Sequence, residues 1–239
     1  MTDTVDKGNA MKLERIGEVF VIRLDETENR FNPGWVGDYL RLLDEAESAP
    51  GPAALVTSGT GKFFSNGLDL DWITTHRAEA AALLGDVHEL FARALESSLP
   101  TVAAIQGHCY AAGAMLAIAH DYRIMREDRG FLCFPEIDIT VPFTPGMADL
   151  VAGKLTPQAA RDAMLFGTRY TAPDALRAGI VDEIAPADAV TDRAIALAAS
   201  LVGKDAATLR AIKRGVYARA LDALRNDPAN TALGGLFAD

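Results

Sequence analysis

The chain has 239 residues, of which 49% are hydrophobic and 23% charged, proportions that exclude wholesale disorder. Acidic residues outnumber basic ones 33 to 23. The net charge of −10 argues against nucleic acid or an anionic membrane as partner, but leaves room for one anionic small ligand met by a locally positive patch. Two cysteines, Cys109 and Cys133, sit in apolar runs with no CxxC spacing. Neither a disulfide framework nor a metal site is expected, and a cytoplasmic location is. Residues 1–10 are polar and read as a frayed tail without the apolar centre of a signal peptide. No apolar run reaches the ~18 residues that span a bilayer.

In chain order, KLER (12–15) and EVFVIRLD (18–25) alternate as strands around Gly17 and predict a hairpin. ENRFNPGW is a turn-rich loop in which Asn32 caps a helix and Pro33 opens it. Trp35, Tyr39, Leu42, Leu43 and Ala46 then recur at helical spacing, predicting a helix over 34–48. AALVT (53–57) is a short buried strand, and the Gly-rich SGTGKFFSNGLDL leads into a helix expected near Gly67. Residues 79–97 form a second long helix, ended by Leu99-Pro100. TVAAI (101–105) is another buried strand, after which QGHCYAAG turns into the helix AAGAMLAIAH.

DYRIM (121–125) is a strand, and FLCF and EIDI are expected to be extended on either side of Pro135. Helices are expected over 145–153 and 156–166, the second capped by Thr156 with Pro157 behind it. ALRAGIVDEI reads as helix, Gly179 stop and strand. Residues 186–224 are helical with one break near 203–205. Alternating strands and helices over 53–125 argue for a layered α/β core, with the helical end as an added layer or oligomer arm.

Several chemistries are poorly served. Gly61-Lys62 lacks the Walker spacing, no GxGxxG marks a dinucleotide site, and no GxSxG elbow exists. His76, His88, His108 and His120 form no metal-ligand pattern. Two strand-to-helix turns remain, Ser65-Asn66-Gly67-Leu68-Asp69 and Tyr110-Ala111-Ala112-Gly113. Small residues at a helix start expose backbone N–H groups and let a ligand oxygen approach. Facing one point, two such turns make an oxyanion hole; otherwise they simply allow tight packing.

At these residues the chain resembles the enoyl-CoA hydratase/isomerase, or crotonase, superfamily. KFFSNGLDL, IQGHCYAAGAMLAIAHDYRIMRED, FPEIDI and ALRAGIVDEIAP resemble four of its blocks, in order, over roughly residues 12–215. With ENRFNPGW they most resemble the plant-type Δ3,Δ2-enoyl-CoA isomerases, although the chain ends in LFAD without a peroxisomal tripeptide. The resemblance implies a ββα spiral core of the ClpP/crotonase type over residues 11–190. A C-terminal helical region over 191–239 would serve a homotrimer or hexamer. It implies an acyl-CoA thioester as substrate, with coenzyme A arriving as part of that substrate and no separate cofactor.

By the same resemblance, the N–H groups of Leu68 and Ala112 hold the thioester oxygen, and Glu136 is the acid–base carboxylate. The family usually places Gly-Gly-Gly where this chain has Ala111-Ala112-Gly113. Hydratases carry a second glutamate at the position of Met115, so a methionine there counts against hydration. One glutamate suits an isomerase, which takes a proton at C2 and returns it at C4. Phe131, Leu132, Phe134, Pro135 and Ile137 surround Glu136 in sequence and are expected to raise its pKa. Met115, Phe64, Phe143, Trp72 and Leu84 are candidate acyl-pocket residues. Lys62, Ser65 and Asn66 are candidate contacts along the coenzyme A side, with Lys213 and Arg214 as further phosphate candidates. A hydratase or other crotonase reaction and a noncatalytic acyl-CoA binder are the alternatives.

Overall fold

The computed structural model describes residues 11–25 and 27–231. The tail expected over 1–10 and the LFAD terminus lie outside them. The strands among the described residues are β1 (Met11–Ile16), β2 (Val19–Leu24), β3 (Ala54–Gly59), β4 (Phe63–Ser65), β5 (Thr101–Ile105), β6 (His108–Tyr110), β7 (Tyr122–Arg126), β8 (Leu132–Cys133) and β9 (Glu183–Ala185). The helices are α1 (Pro33–Ser48), α2 (Leu70–Thr75), α3 (Ala80–Leu95), α4 (Ala112–Ala119), α5 (Pro145–Lys154), α6 (Pro157–Phe166), α7 (Ala172–Arg177), α8 (Val190–Leu201), α9 (Ala206–Val216) and α10 (Ala218–Asn226).

The larger sheet runs β1-β2-β3-β5-β7-β9, and only the β1–β2 hairpin is antiparallel. Its inner strands β2, β3 and β5 are buried on both faces, as parallel strands covered by helices are. The period of two sorts them. Phe20, Ile22, Leu24, Leu55, Ala103, Ile105 and Met125 join the main core with α1, α3 and α4. The intervening Val19, Val21, Ala54, Val56, Val102, Ala104 and Ile124 meet Val190, Ala194 and Ala198, which recur every four residues along α8. Helix α8 therefore covers one face of the sheet, and the boundary expected at 190/191 falls at the start of this packed layer.

A second sheet, β4-β6-β8, is parallel and was not anticipated. Its strands are two or three residues long, too short to display a period. In addition, Glu136–Thr140 is a turn rather than an extended segment, closed by Asp138 N and Ile139 N donating to Pro135 O. The C-terminal helices break twice, at 202–205 and again at Tyr217.

Helix α4 is buried on every side, consistent with its all-apolar AGAMLAIA sequence. The polar groups at its end are satisfied internally. His120 Nδ1 meets Leu116 O, and His120 Nε2 lies 2.8 Å from Thr57 Oγ1. Asp121 accepts from Thr101 N and from Lys213 Nζ at 2.6 Å. Lys213 is thus buried in a structural ion pair, and Arg214 pairs with Glu96 at 2.7 Å. Neither is placed as a phosphate contact. No helix among the described residues is long and apolar enough to cross a membrane.

Candidate active site

Strand β4 delivers the first turn. Gly67, with φ of 81°, swings the chain toward α2, whose first turn is capped by Asp69 Oδ1 accepting from Trp72 N. The ENRFN loop lies alongside. Asn66 N donates to Glu28 O, Phe31 N to Gly67 O at 2.8 Å, and Asp69 N to Phe31 O at 3.0 Å. In this parallel bridge between Phe31 and Leu68, the bonds use the residues flanking Leu68. The Leu68 N–H is left out of the ladder.

Strand β6 delivers the second turn. Ala111 N donates to Cys133 O, and Ala111 itself takes φ 51°, ψ −126°, a conformation that favours glycine. Ala112 opens α4, where first-turn amides have no intrahelical acceptor and the helix dipole is positive. The two turns touch: a Cβ on Gly67 would sit 3.1 Å from Ala112 N and 3.0 Å from Ala111 Cβ. Among the described residues the amides of Leu68 and Ala112 have no protein acceptor. Both residues line one cavity of about 330 Å³.

Glu136 lines the same cavity, from the turn that follows β8. It is 6% exposed, and its Oε2 is buried with no hydrogen-bond partner. Burial raises its pKa from 4.5 to about 7. A carboxyl poised there both takes and gives protons at neutral pH. Met115, one helical turn along α4 from Ala112, forms buried wall, and Ile139, Val141, Pro142 and Met147 also line the cavity. Asp71 also lines the cavity, but its side chain is 89% exposed and pairs with Arg30 at 2.6 Å.

The structure therefore gathers Leu68, Ala112, Glu136, Met115 and Asn66 around one cavity. Other candidates lie elsewhere. Phe64 and Leu84 are fully buried in the core, and Phe143 packs on Phe134 with ring centroids 6.5 Å apart, beside the lining residue Pro142. Trp72 stacks on His76 at 4.5 Å. Ser65 is buried, with its Oγ donating to Asn29 O at 2.7 Å and accepting from Gly67 N at 3.1 Å, so no free polar atom reaches the cavity.

Lys62 stands in an exposed cleft with Glu28, Thr60 and Phe63. A further cleft shares Thr27 and Glu28 with that one and Arg30 with the main cavity. Arg30 is a residue the sequence reading did not single out. It bridges Glu28 and Asp71 at the cavity mouth. Its signal was a charged loop residue just past a strand of the larger sheet, where ligands of parallel α/β sheets bind. Tyr110, Ile139 and Met147 were also missed as lining residues. No group of three or more His, Cys, Asp or Glu among the described residues is arranged to hold a metal.

With this geometry in view, comparison with known proteins is direct. The family model for enoyl-CoA hydratase/isomerase matches residues 14–231. Enoyl-CoA delta isomerase 3 of Arabidopsis thaliana is 37% identical over 201 residues, covering 80% of this chain and 84% of the relative. A crystal structure of an enoyl-CoA hydratase from Mycobacterium marinum superposes with a TM-score of 0.86 at 26% identity, covering 96% of this chain and all of that one. The human mitochondrial delta3-delta2-enoyl-CoA isomerase shares the fold, with a TM-score of 0.88 at 23% identity over 97% of this chain and 93% of its own. The chain belongs to the enoyl-CoA hydratase/isomerase family and has the crotonase-like α/β fold.

Proposed function

We propose that this protein is a Δ3,Δ2-enoyl-CoA isomerase in which Glu136 alone carries the migrating proton. The observation that carries the reading is the pairing of a buried Glu136 carboxyl, its Oε2 without a hydrogen-bond partner, with Met115 in the same cavity. A methionine neither ionises nor holds a water for attack, so Glu136 is the one buried carboxyl among the described lining residues.

The thioester oxygen accepts from the N–H groups of Leu68 and Ala112. The Glu136 carboxylate removes a proton from C2, and the electron pair of that C–H bond passes onto the thioester oxygen as an enolate. The two amides hold that charge, and the α4 dipole adds to them. The enolate then returns its electrons through C2 as the C2–C3 double bond forms. The electrons of the former C3–C4 double bond take the proton from Glu136 at C4. The carboxylate is regenerated and no atom is gained or lost. Coenzyme A enters as part of the substrate, and no further cofactor is invoked. Arg30 at the cavity mouth and Lys62 in its separate cleft are the candidate cations for its phosphates.

Leu165, Phe166, Ile212 and Val216 are exposed apolar side chains. They fit assembly into a homotrimer or hexamer, which light scattering tests; a monomer would refute it.

The experiment on the reaction is a panel of 3-enoyl-CoA and 2-enoyl-CoA esters. Conversion of the former to the conjugated 2-enoyl-CoA, lost in Glu136→Gln, is the expected result. Formation of 3-hydroxyacyl-CoA as the main product would replace isomerase with hydratase. Binding without turnover across the panel would make the protein an acyl-CoA binder.

A further inference from the structure

Ser65 does not touch the cavity, yet it stands between the two turns that line it. Its Oγ donates to Asn29 O at 2.7 Å and accepts from Gly67 N at 3.1 Å. The second bond fixes the Asn66–Gly67 peptide, one unit before the peptide that carries the Leu68 N–H, whose own carbonyl, Gly67 O, accepts from Phe31 N at 2.8 Å. On its other side Ser65 presses against α4: a Cβ on Gly113 would lie 2.6 Å from Ser65 Cβ and 2.7 Å from its Oγ. Gly113 follows Ala112. One small side chain thus holds the plane of the first turn by a hydrogen bond and meets the second by close packing.

Asn29 anchors the arrangement from behind. It is fully buried with φ of 48°, and its Nδ2 donates to Phe64 O at 3.0 Å and Phe63 O at 3.3 Å. The loop before α1 is thereby fastened to β4 at the level of Ser65. Ser65 and Asn29 are both fully buried and neither lines the main cavity, so their service is geometric.

We infer that Ser65 is a positioning residue that sets the orientation of the Leu68 amide relative to the Ala112 amide, through its bonds to Gly67 N and Asn29 O and its contact with Gly113. The inference rests on the proposed use of those two amides for the thioester oxygen. Removing the hydroxyl leaves the Gly67 N–H without its acceptor and lets the turn rotate. The amide then points less well at an oxygen whose charge peaks in the enolate, and the effect falls on kcat more than on KM. Removing one oxyanion donor outright costs about 10²–10³ in kcat, so misaiming one is expected to cost roughly 10–100-fold.

The test compares wild type and Ser65→Ala in kcat and KM for a 3-enoyl-CoA. A second reading is the near-ultraviolet enolate absorbance of bound acetoacetyl-CoA, whose enolate needs the same amides but no C4 chemistry. The expected result is a kcat lowered roughly 10–100-fold, a KM changed less than threefold, and a weaker enolate band per bound ligand. Should Ser65→Ala fail to fold, Ser65→Cys keeps the bulk, weakens the acceptor, and gives the same pattern in milder form. Full kcat with a full enolate band, whatever the loss of stability, would reduce Ser65 to a packing residue. A raised KM at unchanged kcat would make it a substrate contact and overturn the inference as well. Wild type forming the enolate band without isomerising 3-enoyl-CoA would instead refute the isomerase reading and leave Ser65 to be judged on the band alone.

Discussion

Glu136→Gln has a consequence for stability that is separable from activity. The carboxyl titrates at 4.5 when unperturbed and at about 7 in the folded protein, because burial penalises its charge. Between those values the folded state binds more protons than the unfolded one, so stability falls as pH rises through the window. Above pH 7 the whole penalty is present, about 3 kcal/mol at 1.36 kcal/mol for each pKa unit. Glutamine is neutral throughout and escapes it. The variant is therefore expected to match wild type near pH 4 apart from a constant offset. By pH 8 it gains about 3 kcal/mol on wild type, or roughly 6–12 °C in Tm for a chain of this size. Thermal unfolding of both proteins from pH 4 to 9, at one protein concentration, measures the difference, and every other titrating group cancels in it. Parallel curves would refute the reasoning, because they would mean that Glu136 ionises in the folded state as easily as in the unfolded one.

The same carboxyl sets the pH dependence of catalysis. kcat/KM for isomerisation is expected to rise with an apparent pKa of about 7 and then level off, since the ionised form is the base; a rate independent of pH between 5 and 8 would contradict it. Met115→Glu places a second carboxyl against the first, in a position only 1% exposed. The like charge pushes Glu136 further up, so isomerisation at pH 7 should fall at least about tenfold. Assays for the conjugated product and for 3-hydroxyacyl-CoA read the outcome, and an unchanged isomerisation rate would contradict the assignment of Glu136. Ala111→Gly relieves a backbone conformation, φ 51° and ψ −126°, that costs ~1–3 kcal/mol for a residue with a side chain. Part of the gain is offset by the freer unfolded chain, leaving about 1 kcal/mol of added stability by urea unfolding; a loss of stability would show that Ala111 is unstrained.

What the sequence discloses follows from how each residue type reports its surroundings. The central strands β3 and β5 were legible because each is built on an apolar run bounded by breakers, and α1 because Trp35, Tyr39, Leu42, Leu43 and Ala46 repeat on one face. The smaller sheet was not legible, since β4, β6 and β8 hold their pairing through tertiary context rather than through length. Adjacent residues of β4 go separate ways: Phe64 enters the core, while Phe63 faces the cleft with Lys62. A family block places that segment beside the site without saying which side chain points where.

Lys213 illustrates a second limit. Its amphipathic helix α9 buries the lysine and leaves Ile212 and Val216 exposed, because the carboxylate that receives Lys213 lies 92 residues away at Asp121. No local pattern carries that information. The two turns stood out by their small residues, and the Leu68 and Ala112 amides and Glu136 were named from the family blocks. Their convergence depends on the φ values of Gly67 and Ala111 and on the turn over Glu136–Thr140, which are features of the folded backbone.

The central claim is that one carboxylate carries the proton from C2 to C4. It is tested most directly with 3-hexenoyl-CoA bearing deuterium at both C2 positions, turned over in ordinary water and quenched early, with label in the 2-enoyl product located by NMR and mass spectrometry. The account predicts deuterium at C4 in a fraction of the product, carried there by Glu136. Product whose newly delivered C4 hydrogen comes wholly from solvent at every time point would contradict it.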